Sequence, residues 1–254
     1  MNKLNIRPNA IEQIVDLRQW MSTIPTEVHE RHDDLIKMVN YFDMLGNFQY
    51  ELSDQDVSLR WSTFGGPKAV DDKIEDCNLQ LDELQETFRQ DQLTEQDKFN
   101  REFKNYQQMV QGFSKYVDLS DVKNIRLEVQ DINRALKSFE EKTRLYNSRE
   151  AAFGTQLTDY EDLSSTVKNF QPYSDLWLVA YDWTTSWKPD AMDGPFVEID
   201  ADKLAKDIEN AKRAIKKCQK AFKDVPGCKL VADEIAADML EFDTCLPVIV
   251  SLRN

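Results

Sequence analysis

The chain has 254 residues, of which 31% are charged and 41% hydrophobic, and its formal net charge is −14 at pH 7. This length allows one large or two small domains, and the hydrophobic fraction is sufficient for a core and argues against disorder. Because an acidic surface repels phosphate backbones and anionic lipid, nucleic acid and membrane surfaces are poor candidates as partners. Only seven glycines and eight prolines occur, which favours long helices over sheets with many turns.

The four cysteines are scattered, without a C-x-x-C pair, and mostly occupy apolar positions of helical patterns. Free cysteine at such positions behaves as a small hydrophobic residue, which indicates a reducing, cytosolic compartment. The first residues lack the apolar run of a signal peptide. No stretch approaches the roughly 20 apolar residues that a membrane-spanning helix needs.

The sequence of the first quarter of the chain predicts two helices and a loop. Pro8 suits the first turn of a helix that carries apolar residues from Ile11 to Met21. Pro25 starts a second helix, which we expect to continue to a boundary near Ser53-Asp54. The segment from Trp61 to Pro67 contains Gly-Gly-Pro and is predicted to be a loop.

The strongest periodicity follows this predicted loop. Two apolar series are spaced 4-3-4-3-4, as in a heptad seam. They are Val70, Ile74, Cys77, Leu81, Leu84, Phe88 and then Phe99, Phe103, Tyr106, Val110, Phe113, Val117. The polar residues between them are either a stutter within one helix or a turn near Asp91–Thr94 with a new helix capped by Thr94 and Asp97. We favour one continuous helix over 69–117.

The middle of the chain predicts one further long helix and a shorter one. Ser120 is the expected N-cap of the long helix. Its apolar stripe, interrupted by Thr143 and Glu150, is Val122, Ile125, Val129, Ile132, Leu136, Phe139, Tyr146 and Phe153. The shorter helix starts near Asp159, and Pro172 should kink or interrupt it because proline lacks a backbone donor.

Tryptophans concentrate in the last third of the chain. Leu176, Ala180, Trp183 and Trp187 follow i, i+4, i+7, i+11 spacing and predict a buried stripe, with Trp177 beside it. Asp200 is the expected cap of the next helix, whose apolar stripe ends at Phe222. A last amphipathic helix should be broken by Pro247. The whole pattern predicts an all-α protein of elongated antiparallel helical bundles with long heptad-bearing helices.

No catalytic or cofactor-binding motif is found. Glycine-rich phosphate loops are missing, and the only two histidines, His29 and His32, are interpreted as surface residues rather than metal ligands. A calcium loop around Gly194 is excluded because Pro189 and Ala191 would occupy ligand positions. We therefore expect no catalytic residue, no metal and no cofactor in this chain.

The tryptophan-rich third resembles the dynein heavy chain family at the point where the tail meets the N-terminal part of the linker. The resemblance covers roughly residues 160–254 and is closest to the axonemal branch. The matching residues are Leu176, Trp177, Trp183, Trp187, Pro195-Phe196, Ile199-Asp200, Phe222, Leu246-Pro247 and Leu252-Arg253-Asn254.

This resemblance implies a structural and mechanical segment of an ATP-driven microtubule motor of cilia and flagella. Residues 1–158 would form a tail bundle and residues 159–254 the start of the linker. Nucleotide sites would lie elsewhere in the heavy chain, so this segment itself would be no enzyme. In the family the chain continues beyond Leu-Arg-Asn, so we expect this sequence to be an excerpt whose apolar end, from Val248 to Leu252, packs on missing linker residues.

The implied partners are the remainder of the heavy chain, with its linker and motor ring, and as further candidates other dynein heavy, intermediate or light chains. The implied location is the cytoplasm and cytoskeleton, in the axoneme of a cilium or flagellum. Two alternatives stay open. One is a spectrin-like cytoskeletal crosslinker, although Trp20 and Trp61 do not repeat the later tryptophan spacing. The other is an acidic all-α adaptor module, although the arginines are dispersed.

Overall fold

A computed structural model describes residues 2–195 and 199–253, and within these ranges the chain is helical without any strand. This confirms the predicted all-α class, while the antiparallel arrangement and the elongation stay predictions. The α-helices are α1 Ile11–Met21, α2 Ile24–Glu30, α3 His32–Asn47, α4 Asp54–Gly112, α5 Val122–Phe153, α6 Glu161–Asp182, α7 Lys188–Met192, α8 Ala201–Ala221, α9 Pro226–Phe242 and α10 Leu246–Arg253. Short 3₁₀ turns occupy Asn2–Asn5, Phe113–Lys115 and Leu119–Asp121, and Trp183–Trp187 is a π-helix.

The chain divides into two compact units. The first contains the chain up to Gln96 together with Tyr146–Thr158, and the second contains Asp97–Leu145 and the chain from Asp159 onwards. Both long helices, α4 and α5, therefore contribute to both units. The division into a tail bundle, residues 1–158, and a start of the linker, residues 159–254, stays a prediction.

The core of the first unit joins α1 to the first heptad series of α4. Its buried members are Leu4, Ile11, Ile14, Leu17, Met21, Ile24, Cys77 and Leu81. Partly buried Val70, Ile74, Leu84 and Phe88 pack against this cluster. The heptad spacing thus correctly identified the face of α4 that is packed.

The predicted second helix is wrong in its extent. It is broken at Arg31 into α2 and α3, and α3 ends at Asn47 instead of near Ser53. Gln49 adopts a left-handed backbone with φ 53°, and the Tyr50 amide donates to the Leu45 carbonyl at 3.1 Å. Such a six-to-one bond after a left-handed residue is the usual way to satisfy the last carbonyls of a helix.

The predicted loop from Trp61 to Pro67 is also wrong, because these residues lie within α4. A residue before proline normally avoids helical geometry because its Cβ and amide clash with the proline ring. Gly66 has no Cβ and so avoids part of that clash. Pro67 is therefore accommodated inside a 59-residue helix instead of ending it.

The prediction that the helix continues through Asp91–Thr94 is confirmed, although α4 ends at Gly112 rather than near 117. The polar residues of the stutter contact α5. Gln92 is buried and its side-chain amide donates to the Tyr146 carbonyl at 3.2 Å, and Gln96 donates to Glu150 at 2.7 Å. Glu150 also accepts hydrogen bonds from the Thr158 amide and hydroxyl at 2.6 and 2.7 Å. Buried polar groups are tolerated when they are hydrogen-bonded in this way.

The start of α5 differs slightly from the prediction. Asp118, rather than Ser120, is the capping residue, and its carboxylate accepts a hydrogen bond from the Ser120 amide at 2.8 Å. The 3₁₀ turn Leu119–Asp121 then leads into α5 at Val122. All predicted stripe residues of α5 up to Tyr146 are buried, and so are the two interrupting residues Thr143 and Glu150.

Aromatic rings dominate the core of the second unit. The Phe139 ring of α5 meets the rings of Phe99, Phe103 and Tyr106 of α4 edge-on, with centroid distances of 5.2 to 5.9 Å. Beyond the end of α4, Phe113 contacts Phe170 of α6 at 5.1 Å. Edge-to-face pairs contribute about 0.5–1.5 kcal/mol each beyond the area they bury. This aromatic layer positions α6, which leads into the tryptophan segment.

Candidate functional site

The tryptophan segment is formed by α6, the π-helix that follows it and α7. Leu176, Trp177, Ala180 and Trp183 are completely buried, so the predicted stripe is present up to Trp183. Trp187 is only half-buried. Pro172 lies inside α6 without interrupting it. The Pro172 carbonyl accepts a hydrogen bond from the Cys218 thiol of α8, with a sulfur–oxygen distance of 3.5 Å.

The change from α to π geometry explains the different burial of Trp187. The hydroxyls of Thr184 and Thr185 donate to the carbonyls of Ala180 and Tyr181 at 2.8 and 2.7 Å. Hydroxyl bonds to carbonyls four residues back compete with the helical ladder and bend helices. Trp187 is the last residue of the π-helix, whose wider turn rotates it away from the direction that α-helical spacing from Trp183 would give, so it no longer continues the stripe.

A polar link joins Trp183 to α9. Its indole N–H donates to Asp238 Oδ2 at 2.8 Å, and the Lys188 ammonium of α7 donates to both oxygens of the same carboxylate at 2.6 and 2.8 Å. The Phe242 ring lies edge-on to the Trp183 ring at a centroid distance of 5.4 Å. One carboxylate thus fixes both ends of the π-helix to α9.

The environment of Asp238 favours its charged form. Partial burial by itself would raise the pKa of Asp238, but the hydrogen bonds from Lys188 and Trp183, with the positive charge of Lys188, outweigh it. The pKa of Asp238 therefore lies below the usual aspartate range. Charge-assisted hydrogen bonds are about twice as strong as neutral ones, so this link stabilises the junction most when Asp238 is ionised.

Trp177 differs from Trp183 in one respect. It is equally buried, but its indole N–H has no acceptor within hydrogen-bonding distance among the residues that the structure describes. A buried donor without an acceptor costs about 1–3 kcal/mol. The two tryptophans therefore contribute similar apolar packing but different polar energies.

Helices α8 and α9 complete the packing around α6. Asp200 caps α8 as predicted, since its carboxylate accepts a hydrogen bond from the Lys203 amide at 3.0 Å. Phe222 directly follows α8 and is buried against the Tyr173 ring at 4.8 Å. Gln219 of α8 donates to Asp233 of α9 at 2.8 Å.

The start of α9 passes close to the turn that follows α4. The Cys228 thiol lies 3.9 Å from the Ser114 carbonyl, and a Cβ on Gly227 would lie 2.5 Å from Val117 Cγ1. A side chain at position 227 would therefore require the Val117 side chain to move. All four cysteines are free, and burial, with Asp175 as a lesser cause, raises the pKa of the Cys218 thiol to about 12. Such thiols act in packing rather than as nucleophiles.

The apolar end of the chain is partly covered, and Val248 is exposed. Residues from Leu246 form α10, in which Ile249 is buried, Leu246 is half-buried and Leu252 is exposed. The prediction that Pro247 breaks the last helix is wrong: α9 ends at Phe242, and Pro247 lies in the first turn of α10, where proline is tolerated. Phe196 and Asn254 lie outside the described residues, as does the Arg253 side chain.

Within the described ranges, no group of three or more His, Cys, Asp or Glu side chains could hold a metal ion. His29 and His32 are exposed, with parallel rings 6.3 Å apart. Among the described helices, none is long and apolar enough to cross a membrane.

Asp238 and Lys188 are the important residues that the sequence did not identify. Asp238 lies 55 positions after Trp183, and no spacing rule connects two helices at that separation. The one usable signal is chemical, because a buried tryptophan usually requires an acceptor for its N–H. That requirement does not identify which carboxylate supplies it.

Comparison with known proteins bears on this segment directly. Residues 163–254 match the family model described as dynein heavy chain, N-terminal region 2. Over 99% of its length the chain is 36% identical to human dynein axonemal heavy chain 1 and 35% identical to the mouse protein of that name. The chain belongs to the dynein heavy chain family.

Similarity to other axonemal dyneins is weaker. Human dynein axonemal heavy chain 12 is 20% identical over 85% of this chain. The chain spans only 6% of the length of its human and mouse heavy chain 1 relatives. The dynein family match covers α6 to α10, the helices that are joined around Trp183 and Asp238.

Proposed function

We propose that this chain is a non-catalytic mechanical segment of a dynein heavy chain, which joins the tail to the linker. The observation that carries the proposal is the coincidence of the family match, residues 163–254, with the buried tryptophans and the Asp238 link. In this proposal residues 1–158 belong to the tail and residues 159–254 begin the linker. The remainder of the heavy chain, with its linker and motor ring, is the principal partner.

The axonemal names of the relatives support a location in the cytoskeleton of the cilium, as part of a microtubule motor. The physical argument for a mechanical role is the way the junction is packed. Two tryptophans are completely buried, and the helix that carries them is bonded to α9 through a charged carboxylate. A junction built in this way resists deformation, because protein interiors are close-packed and transmit strain.

The non-catalytic part of the proposal is tested on the purified chain. We expect no ATP hydrolysis above the buffer rate and no tight ATP binding in isothermal titration calorimetry, because the sequence has no phosphate loop. A turnover near 1 s⁻¹, which is ordinary for a slow enzyme, would contradict it.

Assembly with other dynein subunits requires an accessible surface, and α3 offers one. The α3 outer stripe, defined as Tyr41, Met44 and Phe48, is spaced i, i+3, i+7 and exposed, with 78% of the Phe48 surface accessible. On the other side of α3, Phe42 contacts the Phe64 ring of α4 at 6.3 Å, so that side is already used. Exposed apolar patches of this kind mark interaction sites.

The charge around the α3 outer stripe indicates the chemistry of its partner. Residues 38–59 contain no Lys, Arg or His and four acids, Asp43, Glu51, Asp54 and Asp56, of which Asp43 is paired with Arg60. Pairing with a second copy would bring these acids together, which disfavours self-association. We therefore propose that the occupant is an amphipathic helix of another dynein subunit, with apolar residues on one face and basic residues beside them.

This surface is tested by replacing Tyr41, Met44 and Phe48 with Ser in the heavy chain and measuring co-sedimentation with the assembled dynein complex. The matched control replaces three leucines that are equally exposed elsewhere, Leu127, Leu230 and Leu240. We expect the α3 variant to lose co-sedimentation and the control to keep it. Equal behaviour of the two variants would contradict the assignment of the surface.

A further inference from the structure

A basic stripe runs along the outward side of α8, in a protein whose net charge is −14. We define the α8 basic stripe as Lys203, Lys206, Arg213, Lys217 and Lys220. With Asn210, these residues are spaced 3-4-3-4-3, so they lie along one side of the helix. All five basic residues are exposed. The stripe extends over about 25 Å, at 1.5 Å per residue.

The buried side of α8 explains why the stripe is turned outward. Ile208, Ala211, Ile215 and Cys218 of the same helix are buried. The apolar and basic positions thus follow the same spacing on different sides of one helix. Because the apolar side is packed in the second unit, the orientation of the basic side is fixed.

Among the residues that the structure describes, most of this positive charge has no ion-pair partner. Residues 210–223 contain six Lys or Arg and no Asp or Glu. Lys212, beside the stripe, is paired with Asp243, and Arg213 is paired with Glu209. Lys203, Lys206, Lys217 and Lys220 form no ion pair with any carboxylate of the described residues.

From this arrangement we propose that the α8 basic stripe binds an acidic helical segment of a protein partner, with Glu or Asp side chains repeated every three and four residues. A helix of that pattern would oppose each basic residue of the stripe with a carboxylate, as charged flanking positions do in paired helices. Such exposed pairs are individually weak and salt-sensitive, so affinity comes from their number and register. The proposal goes beyond the mechanical function, since it assigns a second partner chemistry to a different helix.

Other polyanions fit less well. Duplex nucleic acid and anionic membranes are large, and the acidic remainder of the protein would be forced close to them. A single acidic helix contacts only α8 and avoids that repulsion. The proposal is therefore specific for a short acidic protein segment.

The test uses the full purified chain and a capped, dye-labelled helical peptide with glutamates at every third and fourth position. A peptide with glutamine at those positions is the control. Binding is measured by fluorescence anisotropy at low and high salt. We expect saturable binding of the glutamate peptide only, weakened at least tenfold when NaCl is raised from 50 to 300 mM.

Charge-reversal variants locate the binding site. Lys206→Glu, Lys217→Glu and Lys220→Glu are combined in one variant, and the matched control combines Lys104→Glu, Lys123→Glu and Lys137→Glu, which are also exposed. Both variants change the net charge equally. The stripe variant should lose binding about tenfold or more, because several weak pairs become repulsive, while the control should lose less than twofold.

Several results would overturn the proposal. Equal losses in the two variants would mean that only net charge matters, and binding of the glutamine peptide would exclude charge recognition. Binding to anionic vesicles or to duplex DNA with greater affinity than to the peptide would assign another ligand. A Gln version of the stripe variant, with circular dichroism equal to the wild type, excludes unfolding as the cause of lost binding.

Discussion

Among single residues, Asp238 makes the link that holds the tryptophan segment to α9, because its carboxylate accepts hydrogen bonds from both Trp183 and Lys188. Helical spacing identified Leu176, Trp177 and Trp183 as residues of one segment, and all are buried. The link from Trp183 to Asp238 could not be predicted, because it depends on how α9 is placed against α6. Local patterns specify which face of a helix is apolar, but not which helix covers it.

The two buried tryptophans should respond differently to replacement by Phe. Both changes remove similar apolar area, but only Trp183→Phe also removes a hydrogen bond to a charged acceptor, which contributes about 1.5–3 kcal/mol. Trp177→Phe also removes a buried N–H without an acceptor, which costs the wild type about 1–3 kcal/mol. We therefore expect the loss in the free energy of unfolding to be larger for Trp183→Phe than for Trp177→Phe by more than about 1.5 kcal/mol. Urea unfolding followed by far-ultraviolet circular dichroism measures the difference, and equal losses would show that the Asp238 bond contributes nothing.

Acidification should remove the contribution of Asp238 to the free energy of unfolding. Its pKa is lower in the folded chain than in an unfolded one, so its stabilisation is complete above the unfolded value of about 3.9 and is lost as the pH falls through the folded value. The difference in unfolding free energy between the wild type and Asp238→Asn should therefore be constant near neutral pH and shrink below about pH 4. A difference that grows on acidification would contradict this sign.

At the scale of elements, helical periodicity was reliable and helix ends were not. The continuity of α4 through Asp91–Thr94 followed from two heptad series offset by a stutter. The errors occurred where a neighbouring residue changed the effect of a general signal. Pro67 indicated a loop, but the preceding Gly66 has no Cβ to clash with the proline ring, so the helix continues. The π-helix at Trp183–Trp187 had no sequence signal that was recognised, although two threonines in succession can bond to carbonyls four residues back.

The placement of Pro67 inside α4 predicts a contrast between its two neighbouring glycines. An added Cβ at Gly65 or Gly66 meets no packed neighbour within 4 Å. Gly65→Ala should stabilise the chain by up to about 1 kcal/mol through helix propensity. Gly66→Ala should gain less or destabilise, because its Cβ would meet the Pro67 ring. The melting temperatures of the two variants measure this difference. Identical shifts in melting temperature would argue against a helix at Gly65-Gly66.

At the scale of the whole molecule, the fold class and the dynein resemblance followed from the sequence, but the grouping of the helices did not. α4 and α5 each contribute to two compact units, which no feature of their own sequences indicates. A helix that packs in two cores keeps the same apolar periodicity along its length. Only the helices that pack against it show where one core ends and the other begins. The mechanical proposal depends on the second of these units, where Trp183 and Asp238 lie.

We propose that this segment transmits force without contributing to catalysis. Microtubule gliding velocity is compared with ATP hydrolysis for the full heavy chain carrying Trp183→Ala, and the control is Leu240→Ala, at an exposed position of α9. Loss of the buried indole should destabilise the junction by about 3–5 kcal/mol. We expect gliding to slow severalfold while hydrolysis stays within twofold of the wild type, and the control to change neither. Loss of hydrolysis in proportion to gliding, or no effect on either, would contradict the account.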